Sequence, residues 1–140
     1  MTAVPVRAYI ALGSNVGDRA GHLAAARAAL ASLPGTAVLA VSAVDETEPL
    51  GGLPQAPYLN QMVLVETTLP ARRLLEACLE IERAAGRVRG TRWAPRPLDL
   101  DIVRFGDHRI AEPGLTVPHP GLPERDFWQR ELAELESHDV

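Results

Sequence analysis

The sequence predicts an α+β fold, and two observations carry this prediction. Short runs rich in Val, Ile and Leu alternate with two longer stretches whose apolar residues recur at helical spacing. Their order along the chain is strand, helix, strand, strand, helix, strand, which is typical of an antiparallel sheet with packed helices. The chain has 140 residues, the usual size of one domain, so we treat 1–140 as a single domain.

The first half of the chain predicts one helix between two strands. Arg7 to Leu12 form the first expected strand, which Gly13 ends. Asp18 to Leu33 form the expected helix, because Asp18 can cap its start and leucines and alanines recur along one face. Pro34-Gly35 stops the helix, and the apolar run from Ala37 to Val44 predicts the second strand.

The second half predicts two more strands around a second helix. Tyr58 to Glu66 is rich in Val, Leu and Met and indicates the third strand. Pro70 suits the first position of a helix, and Gly86 suits its C-terminal end. Leu98 to Phe105 indicates the fourth strand.

This order of elements is the split βαβ, ferredoxin-like plan, a four-stranded antiparallel core sheet with helices on one face. After Gly106 the chain is rich in proline, and we expect an irregular C-terminal extension with a short helix near 127–136. Because successive elements alternate in direction, the connections 13–17, 45–57 and 86–97 all meet at one end of the sheet. Two of them exceed the usual 4–6 residues, as functional loops often do.

The composition excludes several classes of protein. All 14 basic residues are arginine, so the chain has neither a P-loop lysine nor a Schiff-base lysine. No apolar run approaches the ~20 residues of a membrane span, and the N-terminus lacks the pattern of a signal peptide. The single cysteine, Cys78, cannot form an internal disulfide, so we expect a cytoplasmic protein.

Arginines concentrate in one segment of a chain whose net charge is −4. Five of them fall between Arg83 and Arg96, with no acidic residue among them. Guanidinium groups suit phosphate oxygens, and Trp93 offers an apolar plate for stacking on a base. The segment therefore indicates a site for a small anionic ligand, although a solvated loop or an RNA-binding loop has the same residue types.

Asp99 and Asp101 are the strongest candidate metal ligands. Their spacing on the fourth strand points both carboxylates to one face, while Leu98, Leu100 and Ile102 point to the other. Carboxylates together with substrate phosphates are the usual ligands of Mg²⁺. A solvated strand face, or salt bridges to nearby arginines, is the alternative.

A flat heterocycle is the ligand that Tyr58 and Asn60 would suit, since they share a strand face and offer an aromatic ring beside an amide. An ordinary half-buried strand start is the simpler explanation of these two residues. His119 lies between Pro118 and Pro120, which fix its direction, and a lone histidine of this kind is more often structural.

Two functions outside catalysis remain open on this reasoning. The chain could be an RNA-binding module that uses its arginine loop, although the net negative charge argues against one. It could also be a small-molecule regulatory domain without catalysis.

The chain resembles the 6-hydroxymethyl-7,8-dihydropterin pyrophosphokinases of the folate pathway over nearly its whole length. The most specific match is the run Arg92-Trp93-Ala94-Pro95-Arg96-Pro97-Leu98-Asp99-Leu100-Asp101-Ile102-Val103. The opening Ala11-Leu12-Gly13-Ser14-Asn15-Val16-Gly17-Asp18-Arg19 is a second match. Shorter matches follow in family order, at Thr47 to Gly51, Tyr58 to Asn60, Glu82 with Gly86 to Arg89, Val117 to His119, Arg125 and Phe127.

The resemblance implies transfer of pyrophosphate from ATP to the pterin hydroxymethyl oxygen, with AMP released and two Mg²⁺ ions required. Asp99 and Asp101 would hold both ions, and Arg87 and Arg96 would neutralise the transferred group. The resemblance implies as partners only ATP and the pterin. We expect a monomer that binds neither nucleic acid nor membrane.

The resemblance also assigns the residues around the two substrates. ATP would meet Glu82, Arg87, Arg89, Arg92, Trp93, Arg96, Ile102, Thr116, His119 and Arg125. The pterin would lie between Tyr58 and Phe127, with Asn60, Thr47, Leu50 and Trp93 around it. Among the departures from the family pattern, the arginine loop is one residue shorter than in enterobacterial members, and Glu131 stands where proline is more usual.

Overall fold

An antiparallel sheet of five strands organises the protein. The structure is a computed structural model that describes residues 4–48, 57–86 and 97–137. The order in the sheet is β2-β4-β1-β5, and β3 also pairs with β4. The elements are β1 Val6–Ser14, α1 Arg19–Ala31, β2 Thr36–Val41, β3 Asp45–Thr47, β4 Tyr58–Thr67, α2 Ala71–Ala84, β5 Asp99–Phe105, β6 Ile110–Glu112, β7 Leu115–Val117 and α3 Asp126–Glu136.

The first two helices begin and pack as the sequence predicts. The Asp18 side chain caps α1 by accepting a hydrogen bond from the Gly21 N–H, at 3.0 Å. Pro70 precedes α2, in extended backbone, and Gly86 after the helix has a left-handed φ of 93°. The α+β class and the antiparallel sheet are confirmed.

The two predicted core helices, α1 and α2, lie on one face of the sheet as expected, and α3 of the C-terminal extension covers the other face. One core lies between the sheet and α1 and α2, with Ile10, Leu30 and Leu74 among its fully buried residues. A second core lies on the opposite face, where Trp128 and Leu132 of α3 pack among strand residues that include Met62 and Leu64. The sequence spacing of α3 shows an apolar stripe, but it does not show which face of the sheet receives it.

The C-terminal extension is more ordered than the expected irregular segment. Strands β6 and β7 form a hairpin with Glu112 opposite Leu115, and Gly114 in the turn has a φ of 74°. Pro113 followed by Gly114 favours such a turn, but the strands on either side have three residues each and are too short to show a strand period. A 3-10 turn at Leu122–Glu124 follows, and the expected helix near 127–136 is confirmed as α3.

A short strand also occupies the start of the predicted 45–57 loop. The second strand ends at Val41, and β3 then pairs with β4 through Asp45 opposite Asn60 and Thr47 opposite Tyr58. A strand of three residues is too short to produce a recognisable period. None of the helices in the described ranges is long and apolar enough to cross a membrane.

Candidate functional site

The site forms where β1 ends and where β4 and β5 begin. In the strand register Gly13 lies opposite Asp99 on one side and opposite Asn60 on the other. Asn60 in turn lies opposite Asp45 of β3. One row across four strands therefore carries two acids, a glycine and an amide, with neighbouring strands about 4.8 Å apart.

Asp99 and Asp101 share a face of β5, as their spacing predicts. The residues between and beside them, Leu98, Leu100 and Ile102, are buried in the core under α1 and α2, so the two carboxylates point to the α3 side. Asp101 lies opposite Ala11, which belongs to the core on that side, and its side chain is 42% exposed. Both acids are thus accessible to a ligand above the sheet.

Glu82 contacts β5 from the sheet face that α1 and α2 cover, opposite the two aspartates. This glutamate of α2 is buried, and its Oε2 accepts a hydrogen bond from the backbone N–H of Leu100 at 2.8 Å. The N–H lies between the two aspartates in the chain, so the contact helps to set the position of both. The predicted contact of Glu82 with ATP stays a prediction.

His119 reaches the aspartates from the segment after β7. Its backbone N–H donates to the Val103 carbonyl at 2.9 Å, and its Nδ1 accepts from the Gly121 N–H at 2.9 Å. Nε2 therefore carries the ring proton, and it lies 3.7 Å from Asp101 Oδ1. The ring packs edge-on against Trp128, with centroids 4.9 Å apart.

A pocket at the outer edge of β5 gathers several of the predicted ATP residues. Asp101, Ile102, Thr116 and His119 all line it. Arg125 lies nearby, with its guanidinium carbon 4.2 Å from the centre of the Trp128 ring, a cation–π contact. The structure thus brings together four of the residues predicted around ATP and the metal.

Four of the residues predicted around the pterin, Tyr58, Asn60, Thr47 and Phe127, lie within the described ranges and on the same side of the sheet. The side chains of Tyr58 and Asn60 lie over Gly13, where an added Cβ would meet Asn60 Oδ1 at 3.3 Å and Tyr58 Cδ1 at 3.5 Å. The Asn60 amide donates to the hydroxyl of Thr47. Phe127, at the start of α3, packs against the core on this face.

The remaining predicted site residues lie outside the described ranges. They are Leu50, Arg87, Arg89, Arg92, Trp93 and Arg96. Their roles stay predictions.

The only cysteine is unsuited to nucleophilic chemistry. Burial raises the pKa of Cys78 to about 12, with smaller contributions from the negative charges of Glu82 and Asp101. The thiol stays protonated near neutral pH, and a protonated thiol is a poor nucleophile.

Sequence reasoning missed two acidic residues beside the site. Asp45 lies in the row with Asn60, and Glu131 is a buried residue of α3, the helix whose Arg130 guanidinium lies 3.9 Å from Asp45 Oδ2. Burial, followed by Asp45, raises the pKa of Glu131 from 4.5 to about 9. The only signal in the sequence was an acid at a buried position of the α3 pattern, and nothing local linked it to Asp45.

Arg19 is a third residue whose place became visible only in the structure. Its Nη1 donates to the Pro57 carbonyl at 2.7 Å and to Glu46 Oε2 at 3.2 Å. The side chain thereby joins the start of α1 to β3 and to the residue before β4.

The described residues supply hard oxygen donors for a metal ion, but only in pairs. Asp99 and Asp101 offer two carboxylates on one face, and no group of three or more His, Cys, Asp or Glu suited to a metal occurs within residues 4–48, 57–86 and 97–137. This set fits an ion that takes its other ligands from water and phosphate, as Mg²⁺ does.

Comparison with known proteins agrees with this geometry. The sequence profile of the 7,8-dihydro-6-hydroxymethylpterin-pyrophosphokinase family matches residues 9–137. The chain is 44% identical over 129 residues to a 2-amino-4-hydroxy-6-hydroxymethyldihydropteridine pyrophosphokinase of Methylorubrum extorquens, covering 92% of this chain and 82% of that one. A protein of the same name from Bacillus subtilis is 45% identical over 128 residues, covering 91% and 77%. The chain therefore belongs to the 7,8-dihydro-6-hydroxymethylpterin-pyrophosphokinase family.

Proposed function

We propose that this chain transfers pyrophosphate from ATP to the hydroxymethyl oxygen of 6-hydroxymethyl-7,8-dihydropterin, giving AMP and the dihydropterin diphosphate for folate synthesis. One observation carries the proposal. The aspartates of β5 share a sheet face and a sheet end with Tyr58 and Asn60 of β4. Strand β1 lies between β4 and β5, so a pterin ring over β4 lies about two strand spacings, roughly 10 Å, from β5, and its hydroxymethyl group would extend over β1 toward the carboxylates.

Asp99 and Asp101 would hold two Mg²⁺ ions. The two aspartates suit Mg²⁺ because they share a face of β5 and because the Asp101 side chain is exposed. Mg²⁺ also prefers carboxylate and phosphate oxygens as ligands. When bound, the ions supply positive charge to the phosphates between donor and acceptor. Glu82 supports both ligands through its bond to the Leu100 N–H.

The pterin would stack between Tyr58 and Phe127. The edge of the ring would meet Asn60, together with the backbone near Thr47 and Leu50 and the side chain of Trp93. The Asn60–Thr47 hydrogen bond sets the orientation of the amide before the ligand arrives, which lowers the entropy cost of binding.

ATP would occupy the pocket at the outer edge of β5. Ile102, Thr116 and His119 line that pocket, and Arg125 approaches it beside Trp128. Arg89, Arg92 and Trp93 would close over the nucleotide, while Arg87 and Arg96 would neutralise charge on the transferred group. Guanidinium forks suit this task because they bind phosphate oxygens in pairs.

Positioning supplies most of the rate in this scheme. The hydroxymethyl oxygen attacks the β-phosphorus, AMP leaves, and no covalent bond to the protein forms. His119 carries its ring proton on Nε2, which lies 3.7 Å from Asp101 Oδ1, so this nitrogen is unsuited to take a proton there. Asp99 is then the candidate acceptor for the hydroxyl proton.

We also infer the ferredoxin-like fold, the oligomeric state and the cellular location. The strand order β2-β4-β1-β5, with α1 and α2 on one face, supports the ferredoxin-like assignment. We infer one domain over 1–140 that works as a cytoplasmic monomer and binds neither nucleic acid nor membrane. The net charge of −4 supports the exclusion of nucleic acid.

Product analysis with labelled ATP tests the function. The protein is incubated with Mg²⁺, the dihydropterin and ATP labelled separately at the β- and γ-phosphorus. We expect both labels in the pterin product and AMP as the nucleotide product. ADP formed in step with a singly phosphorylated pterin would overturn the assignment.

A further inference from the structure

Glu131 is a buried acid that the reaction scheme does not use. The residue is 2% exposed, and within the described parts of the chain no donor forms a hydrogen bond to either carboxylate oxygen. An ionised carboxylate in such a place is costly unless something neutralises it. The structure must therefore offer a counter-charge or a proton.

The charged groups near Glu131 do not neutralise an ionised carboxylate there, so a bound proton is required. Among the charged groups, Asp45 of β3 raises the pKa of Glu131 most. On the same helix, Arg130 lowers this pKa and Glu134 raises it, both by less. The Arg130 guanidinium is 61% exposed and lies 3.9 Å from Asp45 Oδ2. Glu134 accepts the Ala43 N–H at 3.0 Å, so it is already engaged.

The strands under α3 add no counter-charge for Glu131. On β1 the titratable residue in this core is Tyr9, and on β5 Arg104 pairs with Glu136 at 3.3 Å. Two ionised carboxylates have no hydrogen atom to share, which accounts for the missing donor. With one proton present, the Glu131 hydroxyl donates to the Asp45 carboxylate.

Asp45 connects this pair to the predicted pterin site. Strand β3 has three residues and pairs with β4, where Asp45 lies opposite Asn60 and Thr47 lies opposite Tyr58. On the helix, Phe127 precedes Glu131 by four residues, so both lie on one side of α3. A bond between Glu131 and Asp45 thus joins α3, which carries Phe127, to β3, which carries Thr47 and pairs with β4.

We propose that Glu131 and Asp45 share a single proton, and that this carboxyl pair positions α3 against β3 so that Phe127 and the Asn60–Thr47 pair face the pterin. The inference rests on the function proposed above. Glu131 is a positioning residue in this scheme, because it acts through Asp45 and the ends of two elements. The pKa of about 9 keeps the proton in place at neutral pH.

Three variants test the positioning role by steady-state kinetics at pH 7. Glu131→Gln keeps a donor for Asp45, so its KM for the dihydropterin should stay within about twofold of wild type. Glu131→Leu keeps the volume but loses the donor, and its pterin KM should rise on the order of tenfold while the ATP KM changes less than about twofold. Glu136→Gln, an exposed acid of the same helix, is the matched control and should match wild type.

Thermal unfolding across pH tests the shared proton without any substrate. In the unfolded chain Glu131 ionises near 4.5, whereas in the fold it keeps its proton up to about 9, so wild type should lose stability between these values as pH rises. Glu131→Gln removes this loss. Its Tm advantage over wild type should therefore grow from pH 5 to pH 9, and that of Glu136→Gln should stay constant.

Each outcome has a definite consequence. An unchanged pterin KM in Glu131→Leu, or an equal rise in both KM values, overturns the positioning role. A Tm difference that is independent of pH overturns the shared proton. If wild type does not turn over the dihydropterin while the pH-dependent Tm difference persists, the proposed function and the positioning role both fail and the shared proton stands.

Discussion

A glycine forms part of the floor of the candidate site. Gly13 lies in the middle of the row that joins Asp99, Asn60 and Asp45. An added Cβ would come within 3.3 Å of Asn60 Oδ1 and 3.5 Å of Tyr58 Cδ1. A side chain there would displace Asn60 Oδ1 by a few tenths of an ångström, so glycine permits this close approach of Asn60 and Tyr58 to β1.

The aspartates of β5 give the sharpest prediction for single residues. Asp99→Asn or Asp101→Asn should lower kcat on the order of 10²-fold or more, because each change removes one negative oxygen from the proposed metal ligands. Activity at saturating Mg²⁺, with circular dichroism to check folding, measures the effect.

Asp107→Asn is the control for this pair. Asp107 is an exposed acid just after β5, so its loss should leave kcat near that of wild type. Near-normal turnover in Asp99→Asn or Asp101→Asn would contradict the two-metal role.

Between elements, Arg19 joins α1 to the strands that hold the predicted pterin residues. Its Nη1 bonds to the Pro57 carbonyl and to Glu46 connect α1 to β3 and to the start of β4. Strand β3 has only three residues, so such outside contacts contribute much of its order. The same strand carries Thr47, which orients Asn60.

Removal of this contact should weaken pterin binding. Arg19→Ala is expected to cost about 1–2 kcal/mol of unfolding free energy, because the Pro57 carbonyl and Glu46 lose a charged donor. The pterin KM should rise several-fold, while the ATP KM stays near wild type. Urea unfolding and steady-state kinetics measure the two effects.

Arg73→Ala is the matched control for Arg19→Ala. The Arg73 side chain is exposed and forms a 3.6 Å pair with Glu76 on the surface of α2, a kind of contact that contributes little. A pterin KM in Arg19→Ala that equals the value in Arg73→Ala would show that Arg19 does not support the site.

For the molecule as a whole, one sheet separates two cores with different tasks. The core under α1 and α2 buries Leu30, and the core under α3 buries Leu132, with Phe127 packed against it. Both cores contain residues of strands β1 and β4. Because unfolding of either core disrupts these strands, it also exposes the apolar residues of the other core. The cores should therefore be coupled in stability but separable in function.

Two leucine truncations test this coupling. Leu30→Ala and Leu132→Ala should each cost roughly 2–5 kcal/mol, since both leave a cavity in a buried core. Each variant should unfold in a single urea transition. The pterin KM should rise in Leu132→Ala and change little in Leu30→Ala, because only α3 carries Phe127. Two separate transitions in either variant would contradict the coupling.

Much of the fold could be predicted from local patterns. Helix and strand periods identified α1, α2, α3 and the four long strands, and Asp18 and Gly86 marked helix ends. Period two also placed Asp99 and Asp101 on one face, and Tyr58 and Asn60 on one face. Strand β3 and the β6–β7 hairpin were missed because three residues carry too little pattern.

Residue types and their local spacing specify the chemical groups that this chain offers, whereas the tertiary fold specifies which of these groups lie together. Acids two apart on a strand must share a face, so the paired carboxylates follow from covalent geometry alone. Asp45 and Glu131 are 86 positions apart, and the proposed pairing of their carboxyl groups depends on the pairing of β3 with β4 and on which face α3 covers. Helix α3 would bury the same apolar stripe on either face of the sheet. Only the packing of the whole molecule therefore determines which face it covers.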